Sequence, residues 1–235
     1  MRKYLRRSYI VIGVIVLTML TFLLCLTSLK SGNTVSAKIS KTIVVLDAGH
    51  GGVDGGVTGR TTGVKESELN LLIVKKLEKY LIDAGFEVVL TRSTDAGLYG
   101  LATNNLKKKD MKKRKEIIEK SQPSLVVSIH LNEYSLPSRR GAQVFFNEEN
   151  QYSKILAQSI QKEFNSLEEG SRELSALKGD YYIVNCTKYP SVIAECGFLS
   201  NEKEEHLLIT SEYQGKIAYA IFRGIVSYLT QTTIN

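Results

Sequence analysis

The 235-residue chain is poor in cysteine and histidine, with three of each, and its first 37 residues hold no acidic side chain. Each shortage excludes something. Cys25 lies inside an apolar run, so only Cys186 and Cys196 remain for the rest of the chain, too few for a disulfide framework. Those two either pair or sit as buried thiols. No G-K-[ST] triplet occurs, and Asp54 breaks the G-x-G-x-x-G spacing of the glycine-rich stretch from Gly49 to Gly56, which excludes a nucleotide loop. His50-Gly51-Gly52 looks like an esterase oxyanion turn, yet no G-x-S-x-G elbow accompanies it. What is left for those glycines is to let backbone pass close to a metal and an extended substrate.

The acid-free N-terminus has its own logic. Arg2, Lys3, Arg6 and Arg7 precede an uncharged run from Ser8 to Leu29, followed by Lys30 and a polar stretch, which is the pattern of a signal peptide or membrane anchor over residues 1–37. About 20 apolar residues suffice to cross a hydrocarbon core of roughly 30 Å, which favours an anchor. Val35-Ser36-Ala37 favours cleavage after Ala37, so both readings stand. Leu24 before Cys25 argues against a lipoprotein site there. The basic cluster puts the N-terminus inside and residues 38–235 outside.

The formal charge of +7 follows from this topology. Outside residues 1–37 there are 26 basic residues against 24 acidic ones, a net of +2, so no nucleic-acid partner is expected. The basic run from Lys107 to Lys115 falls where a helix is expected and reads as a solvated face. A weak attraction to an anionic polymer is the second reading.

From Lys41 onward β-branched runs alternate with amphipathic segments. Strands are expected at Thr42–Leu46, Phe86–Thr91, Leu125–Ile129, Gly141–Phe146, Tyr181–Val184 and Ser191–Ala194. Helices are expected at Glu66–Ala84, Lys107–Lys120, Tyr152–Phe164 and Tyr213–Leu229, with Gly85 and Pro123 as stops. This order implies one α/β domain, a mixed and mainly parallel sheet of about six strands flanked by helices. A domain of that size buries a core without staples.

In such sheets, sites form where strands end at the carboxyl edge. Asp47 to Gly52 follows the first strand, His130 follows the third and Glu195 the last. Two of the three histidines therefore meet a carboxylate at one edge, whereas His206 falls in a surface helix, Glu202–Leu208. A catalytic zinc ion takes three protein ligands and keeps one open position. Asp47, Asp54, Glu66, Glu68 and Glu195 are the candidate carboxylates. Glu66, at the start of the helix after the His50 loop, fits a ligand and a helix cap equally well.

Four segments then carry a resemblance. Val44–Gly52, Val64–Asn70, Ser128–Asn132 and Glu195–Asn201 resemble, in order, the four blocks of the zinc-dependent N-acetylmuramoyl-L-alanine amidases of the type 3 family. The likeness runs from about Thr42 to Leu229. It implies one zinc ion held by His50, Glu66 and His130, with Glu195 as the catalytic glutamate. Asn132, Arg92 and Arg114 match family positions and are expected to be structural or to contact substrate. Leu131 stands where the family commonly has alanine, which predicts a narrower pocket beside His130. The connection Leu167–Asp180 is too short for the inhibitory helix of some members.

One apolar leader, one catalytic domain and no wall-binding module further resemble the spore-cortex, germination-associated amidases, which remove stem peptides from muramic acid on the way to muramic-δ-lactam. The resemblance thus implies peptidoglycan as substrate, action at the extracytoplasmic face or in the intermembrane space of a forming spore, and recruitment or activation by an exported or lipid-anchored protein. The rival readings are a membrane-tethered zinc peptidase or deacetylase of the wall and a wall-binding protein without catalysis.

Overall fold

The computed structural model describes residues 42–167 and 173–233. The expected leader, residues 1–37, lies outside them. Among the described residues no helix is long and apolar enough to cross a membrane.

Six strands form one sheet in the order β2-β1-β3-β6-β4-β5. They are β1 (Ile43–Ala48), β2 (Glu87–Leu90), β3 (Leu125–Asn132), β4 (Gln143–Phe146), β5 (Leu177–Lys178) and β6 (Ser191–Phe198). The strands β2, β1, β3 and β6 run parallel, and β4 joins β6 antiparallel, so the expected mixed, mainly parallel sheet is what the chain builds. The helices are α1 (Glu66–Asp83), α2 (Leu106–Ser121), α3 (Gln151–Phe164), α4 (Tyr182–Asn185), α5 (Glu202–Leu208) and α6 (Ser211–Thr233).

The period of two along each strand sorts the side chains onto two faces. Val44, Leu46 and Ala48 of β1, Leu125, Val127, Ile129 and Leu131 of β3, and Val192, Ala194 and Cys196 of β6 enter the larger core under α1, α3 and α6. Val45, Val126 and Ile193 enter a smaller cluster with Ile118 of α2 and Ile183 and Val184 of α4. Each fully buried Leu or Ile contributes about 1.5–3 kcal/mol of transfer free energy, so the larger core supplies most of the driving force. The smaller face is the one on which Asp47, Ser128, His130 and Glu195 emerge, because they alternate with the core residues. Leu131 is buried in the larger core and faces away from His130, so it does not narrow the site as expected.

Helix α1 ends as its sequence dictates. Gly85 takes φ 89°, its N–H donates to Ile82 O, and the N–H of Phe86 donates to Leu81 O, the paired bonds of a glycine-terminated helix. One expectation fails. Tyr181–Val184 is not a strand: Tyr182–Asn185 forms a single helical turn and the edge strand lies earlier, at Leu177–Lys178. Burial of Ile183 and Val184 against α2 and β6 outweighs the β propensity of Tyr, Ile and Val. Cys186 and Cys196 are both free thiols, Cys196 in the larger core and Cys186 against the smaller one.

Candidate active site at the carboxyl edge of the sheet

Where β1 ends, the chain turns outward and the carbonyls of Ala48, Gly49 and His50 need partners that turn geometry does not supply. Two buried arginines provide them. Arg92, just past β2, donates from Nε to Ala48 O (2.8 Å) and from Nη2 to Gly49 O (2.9 Å) and Ser67 O (2.8 Å). Arg114 of α2 donates from Nη1 to Ala48 O (2.7 Å) and from Nη2 to His50 O (2.5 Å). A planar fork of N–H donors suits this task in a way a lysine ammonium does not. The clamp holds His50 at φ 62°, a left-handed conformation that a non-glycine residue adopts only when its surroundings impose it.

Arg114 is itself anchored by Asp47 (Nη1 to Oδ1, 2.5 Å) and Asp110 (Nε to Oδ2, 2.5 Å). Burial alone would raise the pKa of Asp47, but the Arg114 guanidinium and the hydroxyls of Ser128 and Thr91 hold it down at about 2. Burial likewise pulls Arg114 down, yet Asp47 and Asp110 more than reverse this and push it above its ordinary value.

Above this floor the three expected ligand residues meet. One ligand atom from each of His50, Glu66 and His130 lies within 4.8 Å of the others. Glu66 Oε1 faces both rings, at 3.3 Å from His50 Nε2 and 3.0 Å from His130 Nδ1. It also accepts from Leu131 N (3.1 Å), while Oε2 accepts from Val57 N (2.9 Å). The Glu66 carboxylate thus points across the cleft, and the residue before its helix makes no side-chain cap. Burial opposes ionisation of Glu66, but hydrogen bonds from both histidines keep its pKa well below the usual carboxylate range. Gly49 and Gly56 are required here: a Cβ on Gly49 would strike the His130 ring, and one on Gly56 would strike the Glu66 carboxylate and the His50 ring.

Asp54 adds a contact that sequence spacing did not single out. Its Oδ1 lies 2.9 Å from His50 Nδ1 and also accepts from Gly56 N. A carboxylate on one ring nitrogen orients the ring and fixes the tautomer of its neutral form, with Nε2 as the free nitrogen. Nε2 faces Glu66 Oε1 at 3.3 Å, an approach satisfied by a proton on the ring, which makes it a hydrogen bond, or by a metal ion between the two. Two histidines and one carboxylate are the donor set of a catalytic divalent-metal site with room for a further ligand. The residues fit such an ion.

Glu195 sits beside His130 on the neighbouring strand, its direct register partner. It is 9% exposed, and its Oε2 has no hydrogen-bond partner. Burial pushes its carboxyl up to about 7, with His130 pulling the other way and Glu66 adding to the rise. A buried acceptor without a donor next to a cation site is poised to hold and release a proton. Asn132 ends β3 two residues beyond His130, half-buried, with its main-chain oxygen taking Leu199 N (2.9 Å). A cleft of about 460 Å³ reaches His50 and His130 and is walled by Tyr99, Met111, Tyr181 and Tyr182, residues that carry no motif in the sequence, and by Lys107 of the basic run.

An α/β sheet whose carboxyl edge gathers a His-Glu-His group able to hold a metal ion beside a protonatable glutamate has the makings of a hydrolase site. The comparisons with known proteins supply the family. The profile of the family described as N-acetylmuramoyl-L-alanine amidase matches residues 44–227. The germination-specific N-acetylmuramoyl-L-alanine amidase of Bacillus subtilis is 35% identical over 237 residues, covering 98% of each chain. The CwlD amidase of Clostridioides difficile, solved in complex with the GerS lipoprotein, superposes with a TM-score of 0.78 at 39% identity, over 80% of this chain and 98% of that one. The catalytic domain of CwlV, an N-acetylmuramoyl-L-alanine amidase from Bacillus (Paenibacillus) polymyxa var. colistinus, gives 0.71 at 32% identity, over 80% and 98%. The chain belongs to the N-acetylmuramoyl-L-alanine amidase family.

Proposed function

We propose that this chain hydrolyses the amide between N-acetylmuramic acid and L-alanine in peptidoglycan, with one zinc ion held by His50, Glu66 and His130. The observation that carries the reading is the register of β3 and β6, which sets Glu195 against His130 with one carboxylate oxygen unpartnered. Zinc, when bound, supplies a nucleophile from water at neutral pH and polarises the scissile carbonyl. Glu195 takes a proton at its carboxylate and returns it to the leaving amine of L-alanine, a double duty suited to a carboxyl held near neutrality. Asp54 keeps His50 in one tautomer. Arg92 and Arg114 act as positioning residues, since their hydrogen bonds go to the chain's own carbonyls and carboxylates. Asn132, at the end of β3, is the candidate among the three for direct contact with substrate.

Zinc content of the purified chain, with mass analysis of the peptidoglycan it digests, tests the proposal. We expect about one zinc per chain, loss of activity on exhaustive chelation, and stem peptides that begin at L-alanine. Acetate or single D-amino acids as products would instead point to a deacetylase or peptidase.

The biological setting is part of the same proposal. Residues 1–37 act as a signal or anchor, and residues 38–235 work outside the membrane, on spore cortex, as a step toward muramic-δ-lactam. The likeness to a germination-specific amidase and to an amidase solved in complex with a lipoprotein supports this and suggests an exported or lipid-anchored partner. Restoration of muramic-δ-lactam in spores of a strain lacking its cortex amidase tests the setting. Full activity of the purified chain on native cortex, with nothing added, would remove the need for a partner.

A further inference from the structure

The catalytic cleft does not end at its own rim. Lys107, Met111 and Tyr182 line it and also line an open groove of about 720 Å³ that continues along α2, where Asn105, Lys108 and Lys112 complete the wall. The groove is therefore an extension of the site, with apolar lining from Leu106, Met111 and Tyr182 and cations from Lys107, Lys108 and Lys112.

Those cations differ from the lysines in the middle of α2; Lys120, also without a partner among the described residues, lies in the last turn, outside the groove. Lys109 bonds to Asn104, Lys113 pairs with Glu116 and Lys115 with Glu119. Lys108 and Lys112, one helical turn apart, have no ion pair or hydrogen bond among the described residues, and Lys107 has only a long contact of 3.9 Å to Asp54. Like charges at that spacing repel. The acidic residues of the adjoining cleft are committed elsewhere: Asp47 and Asp110 to Arg114, Asp54 to His50. The groove thus carries uncompensated positive charge.

The geometry points to a carboxylate subsite: the groove formed by Lys107, Lys108, Lys112, Met111 and Tyr182 holds the peptide portion of the substrate through its free carboxylates. This rests on the amidase reading above. In that substrate the lactyl carboxyl is tied up in the scissile amide and the N-acetylated sugars are neutral, so the negative charge lies on the peptide. The peptide also has the apolar side chains that the apolar lining accepts.

The test uses the full chain and two probes, an L-alanyl tetrapeptide with free carboxylates and the same peptide with every carboxylate amidated. Calorimetric Kd values should favour the acidic peptide, and K108Q/K112Q should reduce that preference roughly five-fold or more. K120Q, at the far end of α2, should leave it intact. KM for muramyl peptides should follow the same ratio. Equal affinity for the two peptides, or a preference that survives K108Q/K112Q, overturns the subsite. Lysine-dependent binding of poly(glycerol phosphate) with no peptide preference overturns it too and assigns the groove to a phosphate polymer. A chain that binds the acidic peptide through these lysines yet cleaves no muramyl amide keeps the subsite and loses the amidase reading. A chain that cleaves but ignores peptide charge does the reverse.

Discussion

Two layers of polar residues lie at the same sheet edge and obey opposite rules. In the lower layer, Asp47 takes Thr91 Oγ1 (2.6 Å), Ser128 Oγ (2.5 Å) and Arg114, while Arg92 and Arg114 spend their donors on loop carbonyls and Asp110. In the upper layer, Glu66 Oε1 faces two imidazoles and Glu195 Oε2 faces no donor at all. A closed buried network is rigid, because each bond strengthens its neighbours and every alternative leaves a charge unpaired. An open one waits for something to complete it. The lower layer therefore holds the loop in a conformation the chain would not otherwise choose, and the upper layer presents acceptors that need a metal ion, a water or a substrate.

The comparison breaks first at the upper layer. Glu195→Ala should keep its zinc and lose turnover by roughly 10²- to 10⁴-fold, the range for a proton-transfer group. Glu66→Ala should lose the zinc itself, since fewer than three protein donors remain. Metal analysis beside initial rates separates the two, and near-normal activity in Glu195→Ala would end the mechanism.

In the lower layer the expected effect is on stability. Arg114→Ala leaves Asp47 and Asp110 charged and buried without their partner, which costs about 3–5 kcal/mol. Urea unfolding measures it, and a loss below about 1 kcal/mol would mean that the network does not clamp the loop.

A smaller effect follows from Asp47. Its folded pKa is depressed from 3.8 to about 2, so the stability it contributes is fully present above the unfolded value and is lost as pH falls from there toward 2. At about 1.4 kcal/mol per pKa unit this amounts to something on the order of 2 kcal/mol. Comparing urea midpoints near pH 5 and pH 2.5 in wild type and Asp47→Asn checks it. The variant, less stable at the higher pH, should show a shallower acid slope, and parallel slopes would show that Asp47 does not carry the linkage.

How much of this was legible in the sequence differs between the layers. His50, His130 and Glu195 follow buried β-branched runs directly, so their convergence could be read from strand order. Glu66 was ambiguous from spacing, because a carboxylate in a first helical turn is also a good cap. Its direction in space, with Oε2 on Val57 N and Oε1 between the rings, is what speaks for a ligand over a cap. Asp54 stands in the sequence as a candidate metal carboxylate and Asp110 carries no role, whereas in the fold Asp54 bonds to His50 and Asp110 to Arg114; each acts through a loop or an adjacent helix turn, and no periodicity reports which surface carboxylate folds inward. In the fold, α1 and α3 were placed within a residue or so because their apolar faces repeat over three or more turns. Tyr181–Val184 reads as a strand but forms a helical turn, because four apolar residues cannot distinguish the two.

The third histidine gives the smallest effect and the cleanest control. His206 lies in α5, exposed, on a surface helix and outside the group of ligand atoms formed by His50, Glu66 and His130. If position at the carboxyl edge, and not residue type, makes a ligand, His206→Ala should keep about one zinc per chain and full turnover. Its stability should change by no more than about 0.5 kcal/mol, as for an ordinary surface substitution. His50→Ala and His130→Ala, assayed beside it, should both lose the metal. A drop in zinc content in His206→Ala would mean that the upper layer extends beyond the sheet edge and that the division between the two layers has been drawn in the wrong place.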